Sequence, residues 1–190
     1  MITSLKNYIN DGDFVSVYDD FGNLDSCSVG VPCRLTDENL LLMQVDENGW
    51  YDGYLSILLS NINRLDVRGK YERKLQQLYS AIAHNQSTSS FNLNEVDLDA
   101  DISGINACVL EWSYSKGSLL KISIDQTNES AGLIGVVLKI FEETVQFQLI
   151  DQYGQKDGVA EFDLSEMQKI YFDSIELRSI KLLMRDTDEG

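Results

Sequence analysis

Apolar residues fall at alternate or near-alternate positions in five short runs, and the same five runs return 105 residues further along the chain. Phe14, Val15, Val17 and Tyr18 open the series and are matched by Leu119, Leu120, Ile122 and, one place on, Ile124. Val29 to Leu35 answers to Ile134 to Ile140, and Leu40 to Val45 answers to Val145 to Ile150. In that last run Val145, Phe147 and Leu149 keep the strand period of two. Tyr54 to Leu59 and Ile62 to Val67 match Val159 to Leu164 and Met167 to Phe172. After the fifth run the period lengthens. Tyr71, Leu75, Leu78, Tyr79 and Ile82 occupy one face of an amphipathic helix, and Leu177, Ile180, Leu183 and Met184 repeat that spacing over a shorter segment. A further short helix is expected over Thr3 to Ile9.

Residue identities carry the same offset. Gly12 falls on Gly117, Asp20 on Asp125, Asn23 on Asn128, Gly30-Val31 on Gly135-Val136 and Asp46 on Asp151. Without any gap, Gly49 falls on Gly154, Asp52-Gly53 on Asp157-Gly158 and Leu59-Ser60 on Leu164-Ser165. Of the 49 positions from 12 to 60, 12 are identical, against roughly 6% expected for a mixed composition. Glycine admits positive φ and close backbone approach, so glycines paired in register predict the same turns and bulges in both halves.

The fold expected is mostly β with short helices: two tandem five-stranded SH3-like or Sm-like barrels joined by a helix and a linker. Residues 1–83 form the first barrel module with its flanking helices, 84–106 the linker and 107–190 the second module. Short antiparallel sheets of this kind curl because flat ones leave both edges open. Pro32 forfeits an amide donor in the second strand, which predicts an edge or a bulge there. The linker is polar (Gln-Ser-Thr-Ser-Ser, Asp-Leu-Asp-Ala-Asp), yet Phe91, Leu93, Val96, Leu98 and Ile102 would let it strap onto a barrel.

Each half places a glycine in the second strand, then alternating apolar residues, and in the first half an acidic loop, Thr36-Asp37-Glu38-Asn39. A third apolar strand and a closing pair ending in Ile62-Asn63-Arg64-Leu65 follow. This order resembles the Sm-like family, the Sm, LSm and Hfq barrels, over about 55 residues per half, a pattern also shared by the PRC-barrel and Tudor-like groups. The resemblance implies a barrel that associates through the edges of its fourth and fifth strands. It also implies RNA contacts from an Asn after the second strand and from an Arg-Gly element between strands four and five. Asn39 matches the first in one half, but Thr144 stands there in the other, and Leu59-Ser60-Asn61 and Leu164-Ser165-Glu166 supply no Arg-Gly.

Charge changes the picture further. Against 31 acidic residues stand 15 basic ones, a formal charge of −16 that repels phosphate backbones and anionic lipid and attracts basic partners. The first residues lack the apolar core of a signal peptide, and no apolar run approaches the ~18 residues of a membrane span, so a cytoplasmic protein without membrane contact is expected. Cys27, Cys33 and Cys108 read as three buried or half-buried free thiols. One His, His84, and no Cys-x-x-Cys give no expected metal site, cofactor or catalytic group. His84 is placed at a helix end, where a cation suits the dipole.

The segment Asp46-Glu47-Asn48-Gly49-Trp50-Tyr51-Asp52-Gly53 clusters carboxylates, but its glycine is at the fourth place where a calcium loop has it at the sixth, and Trp50 takes the fifth, a ligand position, so it reads as a hairpin turn. Trp50, Tyr51 and Tyr54 match Gln155, Lys156 and Val159 across the repeat, so these three positions are aromatic in one half and not in the other. These three are the candidate binding residues, with packing on the linker or on the other barrel as the alternative. Trp112 is expected in the core. The leading functional reading is a non-enzymatic binding and assembly module with a protein partner or a homo-oligomer formed through barrel edges. An acidic inhibitor of a basic partner is a second reading; an RNA-binding Sm-like protein is a third, with only Arg34, Arg64 and Lys74 to supply a basic groove.

Overall fold

The computed structural model describes residues 2–19, 26–82, 93, 104–124 and 132–187. The chain divides into two compact units, Met1–Ser90 and Phe91–Gly190. The first runs α1 (Ile2–Asp11), β1 (Val15–Tyr18), β2 (Ser28–Leu35), β3 (Asn39–Val45), β4 (Tyr51–Leu58), a 3₁₀ turn (Leu59–Asn61), β5 (Arg64–Val67) and α2 (Lys70–Ile82). Its strands lie side by side in the order β5-β1-β2-β3-β4, every neighbouring pair antiparallel. The second runs α3 (Gly104–Lys116), β6 (Leu120–Ser123), β7 (Leu133–Ile140), β8 (Thr144–Ile150), β9 (Lys156–Asp163), a 3₁₀ turn (Leu164–Glu166), β10 (Lys169–Phe172) and α4 (Ile175–Thr187). Its order is β10-β6-β7-β8-β9, again antiparallel throughout. Among the described residues the fold is therefore mostly β, with four short helices.

Every strand, both 3₁₀ turns, α2 and α4 keep the offset of 105 at both ends, and α1 and α3 share their final position, 11 and 116. The backbone agrees at finer grain. Asp46 N donates to Trp50 O at 2.9 Å as Asp151 N does to Gln155 O at 2.9 Å, and Leu59 N donates to Glu38 O as Leu164 N does to Glu143 O. The register slips between Pro32 and Arg34 and again between Val137 and Lys139, so Pro32 marks a bulge in a strand flanked on both sides. Arg68 and Asp173, also 105 apart, both carry positive φ, 59° and 54°.

Two glycine pairs explain why the repeat is written in glycine. A Cβ on Gly30 would overlap the carbonyl oxygen of Met43, and one on Gly135 would overlap that of Gln148, so each second strand crosses its third too closely for any side chain. Gly49 has φ +82 and would put a Cβ 2.7 Å from Leu78 Cβ; Gly154 has φ +78 and would put one 2.8 Å from Met184 N. In both units the turn thus lies directly against the last helix.

In each unit apolar residues are buried on both faces of the strands. Alternation sends Phe14, Val29 and Val45 toward Leu75 of α2, with Val31, Leu78 and Tyr79 packed around them. The counterparts Leu119, Ile134, Ile150 and Ile180 do the same beneath α4, with Val136 and Met184. On the other face Val15, Val17, Leu40, Leu42, Leu55 and Ile57 are fully buried in the first unit, as are Leu120, Ile122, Val145, Phe147, Ile170 and Phe172 in the second. α1 packs against β2 with Leu5 fully buried, and α3 packs against β7. Trp112 is buried in α3, its ring 5.9 Å from that of Phe172.

The structure departs from the sequence reading in three places. α3 starts inside the stretch read as linker, because Ile105, Cys108, Val109, Leu110 and Trp112 bury it on most sides and leave no stripe for a periodicity argument. The fourth strand starts at Tyr51, not Tyr54, because Tyr51 pairs with Val45 across a bulge. The fifth starts at Arg64, since Ile62 N donates to Leu59 O and closes the 3₁₀ turn first. His84, Phe91, Val96, Leu98, Ile102 and the pairs Asp20/Asp125 and Asn23/Asn128 lie outside the described residues.

Candidate functional site

The β3–β4 turn is organised by Asp46. Its Oδ1 accepts from Asn48 N at 2.9 Å and Trp50 N at 2.8 Å, and Gly49 N donates to Asp46 O at 3.0 Å. Asp151 repeats this with Tyr153 N and Gln155 N. The Asp46 and Asp151 carboxylates therefore act as turn acceptors for main-chain amides. Just beyond, Gly53 at φ +79 inserts an extra residue into β4, so Tyr54 faces Met43 while Tyr51 faces Val45. That insertion brings two of the three candidate aromatics together: the Tyr51 and Tyr54 rings stand 5.9 Å apart at 73°. Both are half-buried, whereas Trp50 is 45% exposed at the turn. Tyr79 donates to Met43 Sδ at 3.8 Å and stacks at 5.7 Å on Phe14, tying this surface to α2.

A polar cluster lies where β1 and β5 meet the start of α2. Ser16, fully buried, donates to the carboxylate of Glu72, which is 4% exposed at the third position of α2. Arg64 donates to Asp66 at 2.8 Å and lies 3.8 Å over the Tyr18 ring. The hydrogen bond to Asp66 chiefly raises the Arg64 pKa. Burial raises Tyr18 and Cys27, and burial followed by nearby Cys27, Glu47, Glu72 and Asp46 raises Tyr71. The second unit has Lys121 and Leu177 where the first has Ser16 and Glu72. Leu177 is buried, and Lys121 pairs with Glu176 at 2.9 Å. Position-by-position comparison of the two halves is the signal that would have found this cluster.

The largest difference between the halves lies in their fourth and fifth strands. Leu55, Ser56 and Ile57 of β4 are fully buried, whereas their counterparts Ala160, Glu161 and Phe162 of β9 are half-buried or exposed, and Val159 is 57% exposed. Lys169, Ile170 and Phe172 of β10 are buried, whereas Arg64 of β5 is exposed and Leu65, Asp66 and Val67 are half-buried. Among the described residues β9 has β8 as its one strand neighbour and β5 has β1. Beside β9 an open groove is lined by Phe141, Glu142, Glu143, Thr144 and Glu161. Gln146 donates to Glu161 at 2.8 Å along its wall, and the Lys139 ammonium lies 4.6 Å from the Phe141 ring centroid. Asn39, the position the resemblance would give to RNA, is only 2% exposed.

These features define a mostly-β protein of two five-stranded antiparallel units, each closed by a helix over one sheet face. Neither a family model, nor a curated protein, nor a solved structure matches the chain. Among the described residues no helix is long and apolar enough to cross a membrane.

Proposed function

We propose that the chain is a binding and assembly module, a duplicated barrel of the SH3-like or Sm-like kind that works by taking a partner's strand along an open edge. One observation carries the reading: among the described residues β9 is an eight-residue strand paired on one side, while Leu55, Ser56 and Ile57 of the strand at the same place in the other unit are fully buried. Unpaired edge amides and carbonyls are a template for another strand, with main-chain hydrogen bonds giving affinity and side-chain pockets giving selectivity. Lys156, Asp157, Glu161 and Asp163 break the edge with charge, which limits indiscriminate pairing. The chain's acidity sets it against nucleic acid and anionic lipid, so the partner is a protein. Duplicated strand order, paired bulges and paired turns support the barrel reading in both halves.

The test uses the untagged protein and Val159→Lys, a change at an exposed position that is expected to leave stability within about 0.5 kcal/mol. The variant should lose a partner that co-purifies with the natural sequence, or lose self-association in sedimentation. Equal recovery of every partner and equal sedimentation for the two proteins would remove the edge from the account.

A further inference from the structure

Carboxylates stand on β9 where β4 has none. Glu161 and Asp163 are exposed, and their counterparts are Ser56, fully buried, and Leu58, half-buried. The register with β8 is unbroken from Val159 to Asp163, so Val159, Glu161 and Asp163 share one face, with roughly 7 Å from each to the next. Glu142 and Glu143, in the turn between β7 and β8, extend the same acidic surface along the groove. Among the described residues the side chains of Glu142, Glu143 and Asp163 make no hydrogen bond or ion pair, and that of Glu161 accepts only from Gln146. With Asp157 the surface carries five carboxylates against two ammoniums, Lys139 and Lys156, and Lys139 lies over the Phe141 ring without an ion pair. The charges around β5 are instead satisfied within the chain, Arg64 by Asp66 and Arg68 by Asp11 and Asp13.

We infer that the strand taken along β9 is an extended basic segment of another protein, with Arg or Lys opposite Asp163 and Glu161 and an apolar residue opposite Val159. This deepens the edge-binding reading and rests on it. Every strand pair of the second unit is antiparallel, and the added strand continues that pattern. Read in its own direction the segment therefore runs basic, any, basic, any, apolar. Residues directly opposite on antiparallel strands are near neighbours, so each cation meets one unpaired carboxylate, and Val159, 57% exposed, is covered by the apolar residue. The same geometry rejects other strands. An acidic segment sets like charges face to face, and an uncharged one desolvates Glu161 and Asp163 without a counter-charge. The formal charge of −16 draws a basic partner in from a distance, and the alternation along β9 then selects its register.

Fluorescence anisotropy of labelled synthetic peptides titrated with the full chain tests this. The probes share one core, Arg-Thr-Arg-Thr-Val, with Glu in place of Arg in a second peptide, Pro in place of Thr in a third and Thr in place of Arg in a fourth. The first should bind roughly tenfold tighter than each of the others at equal ionic strength, since it alone keeps both the charge and the amide donors of a strand. Glu161→Lys should weaken the Arg peptide and strengthen the Glu peptide, each by roughly tenfold. Asp163→Lys, which breaks no side-chain hydrogen bond among the described residues, repeats the reversal should Glu161→Lys unfold the chain. Equal binding of the Arg and Glu peptides, or a Pro peptide as tight as the first, overturns the inference, the latter by showing attraction of charge without strand pairing. If the Arg and Thr peptides bind alike and both are lost in Val159→Lys, the basic partner is overturned and the edge reading stands. If no peptide binds in a Val159-dependent way, the inference falls, and the edge reading falls with it when Val159→Lys also recovers every co-purifying protein.

Discussion

Cys33 shows how much one inserted residue settles. It is the extra residue of the β2 bulge, next to Pro32, and its Sγ contacts Val31 O at 3.4 Å. Burial raises its thiol pKa above the ordinary value. At pH below the ordinary thiol pKa, about 8.5, folded and unfolded chains both keep the proton and the group adds no pH dependence. Above it the unfolded chain releases the proton first, so stability falls as pH rises toward the folded value. Urea midpoints measured from pH 7 to pH 10 should decline for the natural sequence and decline less for Cys33→Ala; parallel slopes would show that the thiol is not held in an apolar setting. The residues around Ser16 and Glu72 teach a related lesson, since the second unit fills the same space with Leu177. One backbone here tolerates either a buried carboxylate with a hydroxyl partner or a leucine.

At the scale of elements, the pairing of second and third strands is held by Gly30 in one unit and Gly135 in the other. Gly30→Ala and Gly135→Ala should each cost about 3 kcal/mol by forcing strands apart. Gly117→Ala meets no atom within 4 Å and should cost about 1 kcal/mol for its positive φ alone. Chemical denaturation of the three variants checks the ranking, and equal losses would show that the strand crossing is looser than described. Glycines of this kind, with period-two runs and the stripes Leu75–Leu78–Tyr79 and Leu177–Ile180–Met184, are what made the strands and closing helices legible from residues alone. α3 was not legible, because an apolar surface on most sides has no direction. The bulge at Gly53 was implied by its repeated glycine, but the consequence that Tyr51 and Tyr54 share a face needed the register. The β9 edge was hidden for a physical reason: Phe162 and Ile57 suit the same inner face of a strand, and whether the far side of that strand is covered is not a local property.

For the molecule as a whole, duplication and asymmetry have to be held together. The two units agree in strand order, bulges, turn hydrogen bonds and helix contacts, while their fourth and fifth strands differ in burial and charge. Shared backbone accounts for folding, and the proposed binding rests on the differences. A chain of formal charge −16 repels its own copies at long range, so self-association through the proposed edge would depend on short-range strand pairing. Amide hydrogen exchange along β4 and β9 in dilute protein tests the open edge most directly. The account predicts slow exchange in β4 and fast exchange in β9. β9 amides that are already as protected as those of β4 would contradict it.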